Sequence, residues 1–118
     1  IAGGEHLQGL SEFSPYLKGG QFAVAQPDLA MAGGISECLR ITQLAEACSV
    51  SVSPHFLPAL FIHLAAVAPN IHWLEHFPLL EPMFESLPDL RDGMLAPLDT
   101  PGHGMRLVAD AREQYATG

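Results

Sequence analysis

Charge is scarce in this sequence, and what there is leans one way. Only 15% of its 118 residues are Asp, Glu, Lys or Arg, with 5 basic against 13 acidic side chains and a formal net charge of −8. A chain so poor in Lys and Arg has little with which to neutralise a phosphate backbone, which excludes nucleic acid as its target. Long apolar runs are missing as well. None approaches the roughly 20 residues that span a bilayer, and the N-terminus lacks the basic-then-apolar pattern of a secretory signal, so no membrane partner is expected. Cysteine is limited to Cys38 and Cys48. Both fall in one expected helix, too far apart along it for the short Cα separation of a disulfide, and a reducing, cytoplasmic setting is expected. The 6 histidines come with no Cys-x-x-Cys pair, which argues against zinc. Gly33-Gly34 lack the surrounding signature of a phosphate loop and read as a tight turn.

What is present is a core. At 48% hydrophobic the chain is apolar enough to fold as about one domain's worth of structure. Short apolar runs at Ile1 to Gly4, Phe22 to Ala25, Val50 to Ser53 and Ile71 to Leu74 read as strands. Between them, helical spacing predicts helices over Ser11 to Lys18, from an N-cap at Ser36 to about Cys48, and over Pro58 to about Val67. Strands alternating with helices favour a parallel sheet, and strand-to-strand steps of roughly 20 to 27 residues match the repeat of an eightfold βα barrel. Four strands cannot close such a barrel. From about Phe77 the composition turns to Pro, Leu, Asp and Gly, with a further strand expected at Met94 to Leu98 and a polar helix from about Ala109 to Tyr115.

An ionisable residue follows each of the four strands directly: Glu5, Asp28, His55 and Glu75. In a βα barrel these positions share the C-terminal rim, where such folds hold their active sites. A loop polar residue or a helix cap is the ordinary role for any one of them, but four together point to an enzyme. His6, next to Glu5, is a candidate for contact with substrate, with a solvent-facing loop position as the alternative. His63, His72, His76 and His103 read as structural or surface residues.

The ordered motifs Gly4-Glu5, Gln26-Pro27-Asp28 with Gly33-Gly34-Ile35, Ser53-Pro54-His55 and Trp73-Leu74-Glu75 resemble the mandelate racemase subgroup of the enolase superfamily. Asp92-Gly93 and Asp99-Thr100-Pro101-Gly102-His103-Gly104 resemble the segment by which those enzymes leave the barrel, His103 standing where an apolar residue is usual. The fold class implied is α/β: the C-terminal half of a (β/α)7β-type TIM barrel over residues 1–77, then an extension over 78–118 returning to a capping domain.

Matched position by position, the resemblance makes Glu5 one carboxylate ligand of an essential Mg²⁺, a hard cation that takes oxygen ligands. The family's two earlier ligands come from strands that precede those in this chain. His55 matches the general base and Asp28 the carboxylate that orients it and stabilises its imidazolium. Glu75 matches a residue that hydrogen-bonds the substrate carboxylate, a task requiring its proton, which burial beside Trp73 and Leu74 would favour. The implied reaction removes the proton α to a carboxylate to give an enediolate. The family then either dehydrates a sugar acid, the branch expected here, or returns the proton as a racemase or epimerase of a 2-hydroxy acid. No lysine follows the strand ending at Gln26, which removes the muconate-lactonising branch. A homo-oligomer is expected. A third possibility is an inactive half-barrel that needs a complementing chain, since open strand edges remain at both ends.

Overall fold

The computed structural model describes residues 1–116. The chain forms two compact units, Ile1–His76 and the stretch from Phe77 onward. In the first, strands β1 (Ala2–Gly3), β2 (Val24–Ala25) and β3 (Ser51–Val52) make a parallel sheet in the order β1-β2-β3. The helices between them are α1 (Gly9–Lys18), α2 (Leu29–Ala32), α3 (Ile35–Ala47) and, after β3, α4 (Pro58–Ala65). Successive parallel strands need such crossovers, so the βα alternation read in the sequence is realised as half of a barrel wall.

The core lies where the helices meet the sheet. Phe13 and Leu17 of α1, Ile41 of α3, Val52 of β3 and Phe61 of α4 are essentially without solvent contact. Each such side chain contributes about 1.5–3 kcal/mol over its exposed state. Helix α1 stops where Gly20 takes a left-handed φ of 65°, which lets the Gln21 amide reach back to the Tyr16 carbonyl at 3.0 Å. Phe22, expected within the second strand, lies outside it and stacks on Tyr16 with ring centroids 5.1 Å apart.

The N-cap expected at Ser36 is not formed. The sequence reading passed over α2, a single turn that ends at Gly33; Gly33 and Gly34, with φ of 101° and 95°, then redirect the chain so that α3 begins at Ile35. Ser36 is thereby inside the first turn. Glu37, also in that turn, accepts from the Leu10 amide at 2.8 Å and ties α1 to α3. The fourth expected strand is reduced to one parallel bridge, Val52 to Ile71. Among the described residues no strand flanks Ile71 to Leu74 on its other side to extend a ladder, and Trp73 is 74% exposed. Cys38 and Cys48 are free; burial lifts the Cys38 thiol to about 12, with the Asp28 and Glu37 charges adding to it.

The second unit is a 3₁₀ turn (Pro78–Met83) and two small antiparallel pairs: β4 (Phe84–Ser86) with β7 (Arg106–Leu107), and β5 (Asp89–Arg91) with β6 (Met94–Ala96). Helix α5 follows at Ala111–Tyr115. The β5-β6 hairpin turns on Asp92 and Gly93, both with positive φ, as a two-residue turn between right-twisted strands requires. The strand expected at Met94 to Leu98 is shorter than the sequence reading placed it, and so is the helix expected from Ala109. Among the described residues of this unit only Ala111 is buried. No helix among the described residues is long and apolar enough to cross a membrane.

Candidate active site

Register assembles the site. Val24 pairs with Ser51 and Ala25 with Val52, and the same 27-residue offset continues beyond the strands as a parallel bridge between Asp28 and His55. The His55 amide donates to the Pro27 carbonyl at 3.0 Å, fixing the two residues abreast. Their side chains then meet on the rim, with His55 Nδ1 2.9 Å from Asp28 Oδ2.

Asp28 has two jobs. It is the N-cap of α2, its Oδ1 accepting from the amides of Ala30 at 2.7 Å and Met31 at 3.0 Å, while Oδ2 faces His55. The side chain is only 7% exposed. Burial pushes its pKa up, but the Met31 amide, the His55 bond and the Ala30 amide together outweigh that and hold it below the usual carboxylate value. An ionised Asp28 can only accept, so His55 carries a proton on Nδ1 and, when the ring is neutral, turns an unprotonated Nε2 outward. The Asp28 hydrogen bond raises the His55 pKa; desolvation opposes it, and the charges of Glu75, Glu5 and Asp28 add to it. The ring is 36% exposed, so Nε2 is open to a reactant.

Glu75 lies on the same rim, with Oε2 4.0 Å from His55 Nε2. That oxygen also accepts from the Phe56 amide at 2.7 Å. The burial expected around Glu75 is absent in this chain: its side chain is partly exposed and Trp73 stands out in solvent. Glu5 follows β1, placed by Gly4, whose φ of 116° and lack of a Cβ let Phe13 close to a distance no other residue permits. Glu5 pairs with His6 at 3.5 Å, and His6 is 82% exposed. A hollow of about 390 Å³ beside the edge of β1 is bordered by Glu5, His6, Tyr16, Phe22 and Gln26. Asp28, His55 and Glu75 do not line it, so the sheet rim rather than this hollow is the candidate site.

The structure thus gathers Asp28, His55 and Glu75, sets Glu5 close enough for its charge to act on His55, and leaves His6 at the periphery. His72 and His76 stand four apart, but not on a helix, so the spacing does not aim them at a common ion. Among the described residues, no three His, Cys, Asp or Glu side chains come together as a metal cage. Sequence reasoning missed the turn after His55, where Phe56 and Leu57 have φ of 59° and 47°. Neither residue type marks a left-handed turn, so the sequence held no signal for it.

A family model described as enolase C-terminal domain-like matches residues 1–111. L-talarate/galactarate dehydratase of Salmonella typhimurium is 38% identical over 112 residues, which is 95% of this chain and 28% of that protein. D-galactonate dehydratase of Pectobacterium atrosepticum is 34% identical over 122 residues, 91% of this chain and 32% of that one. The crystal structure of L-talarate dehydratase from a Polaromonas species, complexed with Mg and L-glucarate, is similar with a TM-score of 0.89 at 35% identity. It matches 96% of this chain and 32% of its own. The chain therefore spans about a third of the length of the relatives it matches.

Proposed function

This chain belongs to the enolase C-terminal domain-like family, and on that premise we propose that it supplies the acid–base half of an acid-sugar dehydratase active site. The observation that carries the reading is the Asp28–His55 pair at 2.9 Å on the C-terminal rim of a parallel sheet. Buried, capped Asp28 holds the imidazole in one tautomer and favours its protonated form. His55 Nε2 takes the proton α to the substrate carboxylate, and the same group returns a proton to the departing β-hydroxyl as dehydration proceeds. Glu75, 4.0 Å from that nitrogen, hydrogen-bonds the substrate carboxylate when it carries a proton, and His6, beside Glu5, contacts substrate.

Glu5 fits a Mg²⁺ site as one ligand, offering a hard carboxylate oxygen on the same rim; further oxygen ligands would come from outside this chain. When bound, the cation supplies positive charge opposite the negative charge that develops on the substrate carboxylate. Dehydration is favoured over racemisation because relatives aligned over nine-tenths of this chain are dehydratases of sugar acids. The unit from Phe77 onward is the path back toward a capping domain, and the complete enzyme is a symmetric homo-oligomer. Two free cysteines fit a reducing, cytoplasmic setting.

The test is solvent exchange. The complete enzyme with Mg²⁺ in deuterated water should exchange the α-proton of galactarate, L-talarate or D-galactonate and release the 2-keto-3-deoxy product. Replacing His55 with Asn should abolish both. Exchange that persists in His55→Asn, or an enzyme that processes none of these acids, overturns the reading.

A further inference from the structure

The turn that follows His55 is held from outside. Phe56 and Leu57 are consecutive residues with side chains in the left-handed region, at φ of 59° and 47°, where a Cβ crowds the backbone. Leu57 is the N-cap of α4 yet makes no side-chain cap bond, so α4 itself contributes no polar side chain that secures the turn. Register brings Glu75 there instead. The 19-residue offset that bridges Val52 to Ile71 recurs between Phe56 and Glu75, and Glu75 Oε2 accepts from the Phe56 amide at 2.7 Å. The same oxygen is 4.0 Å from His55 Nε2. One carboxylate thus touches the backbone immediately after the imidazole and flanks the ring on the side opposite Asp28.

We propose that Glu75 is a positioning residue: before substrate arrives, its carboxylate clamps the Phe56–Leu57 turn in its left-handed conformation and so fixes where His55 presents Nε2. The inference deepens the reading of His55 as the base and rests on it for its catalytic meaning. Asp28 fixes the Nδ1 side of the ring and Glu75 fixes the backbone that carries it, so the imidazole is defined from two directions. A residue that only contacted substrate would have no need of this amide.

The experiment uses the complete enzyme without substrate, following amide hydrogen exchange at Phe56 and the ring nitrogen resonances of His55. In the unaltered protein the Phe56 amide should be protected although it lies outside any helix or strand. Glu75→Ala should accelerate its exchange about tenfold, as loss of the amide's hydrogen-bond acceptor implies, and should broaden the His55 ring signals as the imidazole samples several placements. Glu75→Gln retains an oxygen that accepts from the amide and should restore both. A freely exchanging Phe56 amide in the unaltered protein overturns the proposal without any variant. So does a Glu75→Ala protein in which protection and ring signals are unchanged, and one in which protection is lost but the ring signals are not. None of these readings requires turnover, so a failed dehydration assay would overturn the functional reading and leave this result standing.

Discussion

The two units of this chain treat charge in opposite ways. In Ile1–His76 the sheet and its helices bury a continuous core, and the rim above it holds Asp28 almost out of solvent, where a hydrogen bond can move two pKa values in useful directions. From Phe77 onward two carboxylates lie in solvent and pair with arginines, Asp89 with Arg91 and Glu85 with Arg106. Exposed pairs of that kind are worth about 0–1 kcal/mol and tune nothing. Chemistry follows packing: a carboxylate becomes a tool where the fold limits its partners to chosen ones.

The largest effect that sharpens this contrast is at His55. Replacing it with Asn should abolish α-proton exchange in the complete enzyme, a loss of at least about a hundred- to ten-thousand-fold, while circular dichroism and the unfolding midpoint stay near their original values because the ring is partly exposed.

Asp28→Asn separates the two jobs of that residue. The Asn carbonyl oxygen still caps α2 through Ala30 and Met31, but its amide no longer accepts from His55 Nδ1. Exchange should fall about tenfold or more. Its pH profile should move too. The base works when neutral, so activity in the unaltered enzyme falls as pH drops through a His55 pKa raised above 6.5; in the variant that limb shifts to lower pH. The same pair stabilises the fold within a window. Asp28, lowered from 3.8, contributes stability that is present above that value and lost as pH falls through its folded pKa. His55, raised from 6.5, contributes stability that is present below that value and lost as pH rises through its folded pKa. Unfolding midpoints measured across pH should lose the acid limb in Asp28→Asn and show a smaller limb for His55, on which the charges of Glu75 and Glu5 still act, and a profile identical to that of the unaltered enzyme would show that the pair is not coupled in solution.

Next in size is Gly4→Ala. The new Cβ would lie 2.7 Å from Phe13 Cε1 in the middle of the core, at a φ of 116°. Over-packing and backbone strain together should cost about 3 kcal/mol in denaturant unfolding, and Glu5 should be displaced with the loop. Phe13→Leu in the same background should recover part of the loss by opening space beside the methyl group.

Much of this was legible beforehand for a physical reason. The βα alternation and the position of Asp28 and His55 past their strands depend on apolar patterning and parallel geometry, and both are written locally in the sequence. What escaped was written elsewhere. The Ile71 to Leu74 run has strand composition, but a strand exists only with partners on its flanks, and this chain gives it one bridge. Helix α2 is a single turn whose existence depends on the cap that Asp28 provides, and four residues between the cap and Gly33 are too few to show helical periodicity. The left-handed pair Phe56-Leu57 is stabilised by a carboxylate 19 residues away, which no local pattern encodes. Burial around Glu75 was inferred from its apolar neighbours Trp73 and Leu74, yet neighbours in sequence bury a group only when something packs over them.

The smallest expected effect tests the other side of the contrast. Gly93→Ala places a methyl group in open space, with nothing within 4 Å, so its only cost is the left-handed backbone at φ of 76°. That should amount to about 1 kcal/mol, confined to the β5-β6 hairpin and visible as faster amide exchange between Asp89 and Ala96. Neither α-proton exchange nor the pH limb of His55 should change. If Gly93→Ala instead altered the His55 limb, the contrast drawn between the two units would fail, because strain at a hairpin with no buried residue would then be felt by the imidazole.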